Sequence, residues 1–406
     1  MHLRLPSMIE VQFPFILIKT KMGLSLIDKL GKTWFSKKIG FLFTIVMPFL
    51  GAVMIYFLTS SLSNILNNPE VSKAIRELGP AANILLPGLN PYLPIFYGWV
   101  ALLIAMIIHE ASHGIQARAH EINVKSTGIV LFLIIPIGAF AEIDEKQLEE
   151  ASLEKASRIL SAGPVSNIIV AFIALALFLI LILSLKPIAN GILILGLDSN
   201  GLAYKKGMRL GDVIVSVNGE HTPDWDSFVK AVSKAYKNRE NITFQVLRNG
   251  LTNYTFTMEK NLTASGIVRL VPLKDVLEEY SSALTYSPVE GIMTYLMIPT
   301  VPFPWVYERI PFSDQLKNYY TSTILGRDYN YFVNLFFWIW FVNFNVGVFN
   351  ALPLYPLDGG IMFKLFCRKK LGGRVSIKTI DRMVYVLSLI LFILIVCTII
   401  IPYFKS

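Results

Sequence analysis

Five long stretches without a single charged side chain constrain this chain more than any other feature. They are Ile39–Pro69, Leu78–Ile108, Ile159–Leu185, Tyr329–Leu357 and Met383–Phe404. A helix crossing the hydrocarbon core of a bilayer needs about 20 mainly apolar residues, and each stretch holds one. Across the chain 54% of residues are hydrophobic and 16% are charged, more apolar and less charged than a soluble domain. The expected fold class is an α-helical polytopic membrane protein of about five to six spans, with the lipid bilayer as a partner. Two shorter apolar runs, Ser126–Ala141 and Gly291–Tyr307, are poor spans. The second carries Pro299, Pro302 and Pro304, which suits an interfacial segment.

Charge sets the expected orientation. Residues 1–38 hold seven Lys/Arg and Phe366–Arg382 holds six, whereas Ser61–Pro91 holds only Lys73 and Arg76. Lysine and arginine collect on the cytoplasmic side of spans, so the N-terminus and the 366–382 loop are expected in the cytoplasm. The membrane is the plasma membrane if the source is prokaryotic. The net charge of +9 is thereby absorbed into topology, and no nucleic-acid partner is implied. The patch Phe13–Ile18 is too short for a signal core, so the first span is expected to be retained. Cys367 and Cys397 form no disulfide framework.

Five segments are expected in chain order. Residues 1–38 form a basic lead, and residues 39–187 a membrane domain with a hairpin over Val124–Glu145, which β-branched residues and Gly128, Pro136 and Gly138 favour over a helix. Residues 188–262 form a soluble insert, residues 263–328 a linker with the Pro-rich interfacial segment, and residues 329–406 a second membrane domain. The insert is expected outside the cytosol, and its sequons at Asn241, Asn253 and Asn261 agree with that side. Within it, "GILILGL" and "DVIVSVNG" read as strands. Residues 224–237 read as an amphipathic helix with Trp225, Phe228, Val229, Val232 and Tyr236 near one face. Residues 242–258 read as a hairpin turning at Arg248–Leu251. Gly207, Gly211, Asp212, Ile214, Asn218 and Gly219 carry a pattern that resembles a PDZ domain of the protease-associated kind, giving an inserted α/β PDZ-like domain.

The second long run ends in His109-Glu110-Ala111-Ser112-His113, the pattern H-E-x-x-H. On a helix, positions i and i+4 share a face, so both imidazoles can hold one zinc ion with Glu110 beside the bound water as general base. Zinc lowers the pKa of such a water to about 7. A catalytic site of this kind takes a third protein ligand. Two acids qualify: Glu142, on the expected hairpin, and Asp358, at the end of the fourth run in "NALPLYPLDGG". The orientation places the ends of runs two and four at similar depth near the cytoplasmic side. A carboxylate there is costly without a cation, which favours Asp358.

These motifs together resemble the site-2 protease family of intramembrane zinc metalloproteases, peptidase family M50, in its PDZ-containing branch. The family pattern N-x-x-P-x-x-x-L-D-G is matched at Asn350, Pro353, Leu357, Asp358 and Gly359, and its G-P-x-x-N at Gly163, Pro164 and Asn167. The resemblance implies that His109, His113 and Asp358 bind Zn2+, that Glu110 activates water, and that Asn350 and Asn167 position substrate or shape the site. It implies hydrolysis of a peptide bond within or near the transmembrane segment of a membrane-anchored protein substrate, often after an upstream protease has acted. The hairpin is expected to pair with an unwound substrate strand. Two other readings stay open: a zincin-type membrane protease with Glu142 as third ligand, and a non-proteolytic membrane scaffold built on the PDZ-like module. A transporter is disfavoured, because no internal repeat with matched broken helices is visible.

Overall fold

Lipid offers a backbone no hydrogen-bond partners, so a long uncharged run is forced into a helix that satisfies its own peptide groups. The computed structural model describes residues 9–12, 14–133, 135–258, 266–278 and 316–404. It divides into two compact units, one of residues 1–174 with 338–406 and one of residues 175–337.

The first unit opens with β1 (Ile9–Gln12) and β2 (Phe15–Thr20), followed by α1 (Leu24–Gly31), α2 (Trp34–Asn67), α3 (Pro69–Leu78) and α4 (Ile95–Ala119). Then come β3 (Val124–Phe132), β4 (Ile135–Ile143), α5 (Glu145–Glu150) and α6 (Leu153–Leu183). α6 runs on into the second unit. There lie β5 (Leu185–Pro187), β6 (Ile192–Leu197), α7 (Leu202–Lys205), β7 (Val213–Val217), β8 (Glu220–His221), α8 (Trp225–Lys237), β9 (Ile242–Arg248), β10 (Thr252–Met258), β11 (Ile267–Pro272) and β12 (Tyr320–Ser322). α9 (Tyr329–Asn350) returns the chain to the first unit, which ends with α10 (Asp358–Leu371) and α11 (Ile377–Phe404).

Among the described residues, α2, α4, α6, α9 and α11 are the five helices long and apolar enough to cross a membrane. Their limits differ from the uncharged runs for local reasons. α2 starts before Ile39 because Thr33 caps it, its hydroxyl accepting from the Ser36 N–H at 3.2 Å. Only the second half of run two is span: Pro80, Pro87, Pro91 and Pro94 interrupt its first half, and α4 starts at Ile95. α4 then continues past Ile108 to Ala119, so His109–His113 lies inside the helix rather than at its tip. Gly291–Tyr307, the Pro-rich run, lies outside the described residues, as does Asn261.

The Ser126–Ala141 stretch falls in the antiparallel pair β3–β4. The N-terminal lead contributes two strands to the same sheet, whose order is β1-β2-β3-β4. β2 pairs with β3 from Phe15↔Phe132 to Thr20↔Thr127, so Phe15–Ile18 of that apolar patch lies in a strand. β3 is an inner strand and β4 an edge.

In the second unit the sheet order is β10-β9-β7-β6-β11, with β8 on β7. β11 lies beyond residue 262, the expected end of the insert, and joins the same sheet through β6. Asn218 and Gly219 both have positive φ, 50° and 82°, the requirement of the tight turn that joins β7 to β8. The core gathers Ile192, Ile194, Met208, Ile214, Phe244 and Val246. α8 packs only part of the expected face on the core, through Phe228 and Val232. Trp225, Val229 and Tyr236 are 45%, 43% and 65% exposed, while Phe228, Ala231 and Ala235 are buried. The alanines let the helix approach the sheet closely, and Trp225, Val229 and Tyr236 are turned outward. Buried Asp212 is held by Arg248 through two bonds of 2.7 Å and accepts the Arg209 N–H at 2.9 Å. Its charge is thus matched, as a buried carboxylate requires.

Candidate metal centre

Helical spacing puts His109 and His113 on one face of α4, with ring centroids 4.7 Å apart and planes at 79°. Both residues are buried, 8% and 7% exposed. His113 Nδ1 lies 2.7 Å from the Ile159 carbonyl of α6. A carbonyl only accepts, so Nδ1 carries the proton and Nε2 presents a lone pair to the interior. That Nε2 stands 3.2 Å from His109 Nε2 and 3.3 Å from Asp358 Oδ2. His109 Nε2 stands 3.0 Å from the same oxygen. The three atoms form a nearly equilateral triangle.

The donor set suits zinc in its edges and its chemistry. A tetrahedral zinc with bonds of about 2.0–2.1 Å has ligand–ligand edges of roughly 3.3 Å, within a few tenths of an ångström of the observed triangle. Lone pairs at these separations repel one another unless a cation or proton lies among them. His109, His113 and Asp358 are also a group of His, Cys, Asp and Glu residues whose ligand atoms all lie within 4.8 Å of one another. The residues fit the metal.

α6 supplies the wall behind the triangle. A Cβ on Gly163 would lie 2.4 Å from His113 Nε2 and 2.7 Å from His109 Nε2, so no side chain fits. Pro164 cannot donate to the Leu160 carbonyl and displaces that turn, the turn beside the Ile159 carbonyl that meets His113. One turn later Asn167, fully buried, sets its amide 3.3 Å from His109 Nδ1. Its Oδ1 is buried without a partner. The two ends of an amide have the same shape. Turned about, Oδ1 accepts from His109 Nδ1–H, and His109 Nε2 is left with the lone pair a metal needs.

Asp358 opens α10 immediately after the loop from Ala351 to Leu357. The loop is tight against the helix start: a Cβ on Gly359 would lie 2.3 Å from the Leu352 carbonyl oxygen, and one on Gly360 would lie 2.3 Å from the Leu354 carbonyl carbon. The two glycines after Asp358 therefore set its position. An apolar cavity of about 780 Å³, lined by Met47, Pro48, Gly51, Ala351, Pro353 and Gly359 among others, reaches this same corner.

The other candidates are placed as follows. Glu110 Oε2 accepts the Ala141 N–H of β4 at 2.9 Å. Glu142, the alternative third ligand, is bonded to the Ser126 hydroxyl and lies 3.6 Å from Lys19 Nζ, committed to the sheet rather than to the histidines. Asn350 ends α9 with its amide donating to the Val346 carbonyl at 3.0 Å, a bond within its own helix. So the structure joins His109, His113, Asp358 and Asn167 and leaves Asn350 and Glu142 out of that network. The Ile159 carbonyl and the Ala141 N–H are backbone groups, to which no side-chain pattern points.

Residues 97–297 and 321–395 match the model of peptidase family M50, well over half of the chain. The chain belongs to peptidase family M50. As a member it is a metalloprotease, and membership together with the triangle implies zinc. An uncharacterised protein of Methanocaldococcus jannaschii is 26% identical over 356 residues, covering 87% of this chain and 77% of that protein. Regulator of sigma-W protease RasP of Bacillus subtilis is 26% identical over 227 residues, 54% of this chain and 52% of RasP. Regulator of sigma-E protease RseP of Salmonella typhimurium is 28% identical over 204 residues, 45% of this chain and 44% of RseP.

Outer partners of metal-binding histidines change affinity by about 10–100-fold. Asn167→Ala is expected to weaken zinc binding by that amount, and Gly163→Val to abolish it. Competition with a chromophoric chelator measures both, and unchanged affinity in Gly163→Val would contradict the close approach of α6.

Proposed function

We propose that this chain is an intramembrane zinc metallopeptidase that hydrolyses a peptide bond within or near the transmembrane segment of a membrane-anchored protein. The observation that carries the reading is the His109–His113–Asp358 triangle, which joins a candidate span to the loop after another, with Glu110 adjacent in sequence. His109, His113 and Asp358 would hold the ion. When bound, zinc supplies a Lewis acid that polarises a carbonyl and makes water more acidic.

The rest is done by protein groups. The Ala141 N–H steadies one oxygen of Glu110, and the other takes the proton of the attacking water and delivers it to the leaving amine. Asn167 and the Ile159 carbonyl hold the two imidazoles in the required tautomer. Gly163 keeps the approach to the site narrow.

The substrate is presented as a strand on the edge of β4 that no described strand occupies. N–H groups alternate in direction along a strand. The Ala141 N–H leaves the β3 ladder for Glu110, so the N–H two residues earlier, at Ala139, also faces the open edge. An extended segment adding there would run past Glu110. We place the N-terminus and the reaction near the cytoplasmic side and the second unit outside the cytosol, on the distribution of Lys and Arg. The sheet and α8 of that unit are read as a PDZ-like module that docks or filters substrates.

Glu142 in its bonds to Ser126 and Lys19 argues against the zincin alternative. A scaffold would be indifferent to the charge of Glu110. Loss of a general base typically costs about 10²–10⁴-fold in rate. Glu110→Gln is therefore expected to keep its zinc and lose that much cleavage of a membrane-anchored reporter with helix-weakening residues in its span; full cleavage by this variant would sink the reading. Proline at Val130 or Leu131 would break the inner strand itself, so the edge is better probed at Ala139. Ala139→Pro is expected to retain zinc and thermal stability while cleavage falls at least about tenfold, and undiminished turnover would remove the strand-addition step.

A further inference from the structure

We propose that residues 21–38 form an in-plane membrane anchor that selects anionic lipid where α2 enters the bilayer. α1 ends two residues before α2, so it lies at the boundary that any span must cross. Its inner face is taken. Ile27 is buried, and a Cβ on Gly114 of α4 would lie 3.1 Å from its Cδ1. A Cβ on Gly31 would lie 3.0 Å from the Ile115 carbonyl oxygen, and Asp28 pairs with Arg118 at 2.7 Å. α1 is thus clamped on the helix that carries His113.

The outer face is apolar and open among the described residues. Met22, in the turn before the helix, and Leu26 and Leu30, one turn apart on one face of α1, make up this face. They are 82%, 59% and 39% exposed, and Trp34 and Phe35 beside them are 69% and 62% exposed. Lys21, Lys29, Lys32, Lys37 and Lys38 are all exposed. Asp28 is the single acid between residues 21 and 38, and Arg118 neutralises it. Lys38 Nζ sits 4.3 Å over the Trp34 ring, an aromatic and a cation together at the level where both favour the headgroups.

An apolar stripe on a short helix with lysines around it, next to a span, has the make-up of a helix lying in the interface. Five cations against one neutralised acid fit a surface of negative charge, and the fit is to acidic phospholipid headgroups. The metal site plays no part in this argument, so its failure and that of the anchor are separable.

The test uses the full chain in nanodiscs of phosphatidylcholine with one minor component brominated near the top of its acyl chains. That component is either phosphatidylglycerol or phosphatidylcholine. The quenching of Trp34 is read as the difference between the protein and its Trp34→Phe variant. Brominated phosphatidylglycerol is expected to quench at least about threefold more than brominated phosphatidylcholine at the same fraction. Glutamine at all five lysine positions should erase that preference with zinc content and monodispersity unchanged. Equal quenching by the two lipids overturns the selectivity. No quenching by either, or quenching lost as chains pair at higher density, overturns the anchor and gives the stripe to water or to a second copy.

Discussion

Three atoms with lone pairs, two imidazole nitrogens and one carboxylate oxygen, stand within 3.0–3.3 Å of one another in the interior of a helical bundle. The remainder of the first unit depends on making that contact tolerable. Burying an ionised carboxylate costs several kcal/mol unless a matched charge accompanies it, and two neutral histidines supply none. A divalent cation removes the repulsion and the desolvation cost together. The contact ties α4 to the start of α10, and with a bound cation it would be the reactive centre we propose.

Close backbone approach makes the tie geometrically possible. In lipid the drive for helix association comes from packing rather than from water, and small residues set how near two helices come. Gly163 brings α6 onto the imidazoles. A Cβ on Gly347 of α9 would lie 2.8 Å from the Pro164 carbonyl oxygen, and one on Gly51 of α2 would lie 2.6 Å from the Ala351 carbonyl oxygen. Gly347 and Gly51 sit where a neighbouring backbone passes, one flanking Gly163 and the other leading into Asp358. The wall formed by α6 supplies the orienting groups as well, through the Ile159 carbonyl and Asn167. The meeting of the three side chains and the packing of the helices are thus two aspects of one arrangement.

Much of this was legible in the sequence, and what was not has physical reasons. Helices form from the uncharged runs because lipid leaves a backbone no alternative, and H-E-x-x-H reads directly as a shared face. Asp358 could be preferred over Glu142 only through topology and family resemblance; the structure adds that Lys19 and Ser126 occupy Glu142. Lys19 could not have been foreseen as that partner, because β2 reaches β3 across more than a hundred residues and short strands of this kind carry little periodicity. Of the face that periodicity picks out on α8, only Phe228 and Val232 reach the core; Ala231 and Ala235, too small to mark a face by themselves, complete it. Backbone partners such as Ile159 and Ala141 leave no trace in side-chain patterns at all.

In the proposed site Asp358, from a distant part of the chain, completes the zinc ligands with His109 and His113. Zinc per chain in detergent, measured for the wild type, Asp358→Ala and Glu142→Ala with monodispersity as the folding control, tests it most directly. The account predicts about one zinc in the wild type and in Glu142→Ala, and little or none in Asp358→Ala. Full zinc in Asp358→Ala together with its loss in Glu142→Ala would contradict the account and move the third ligand to the sheet.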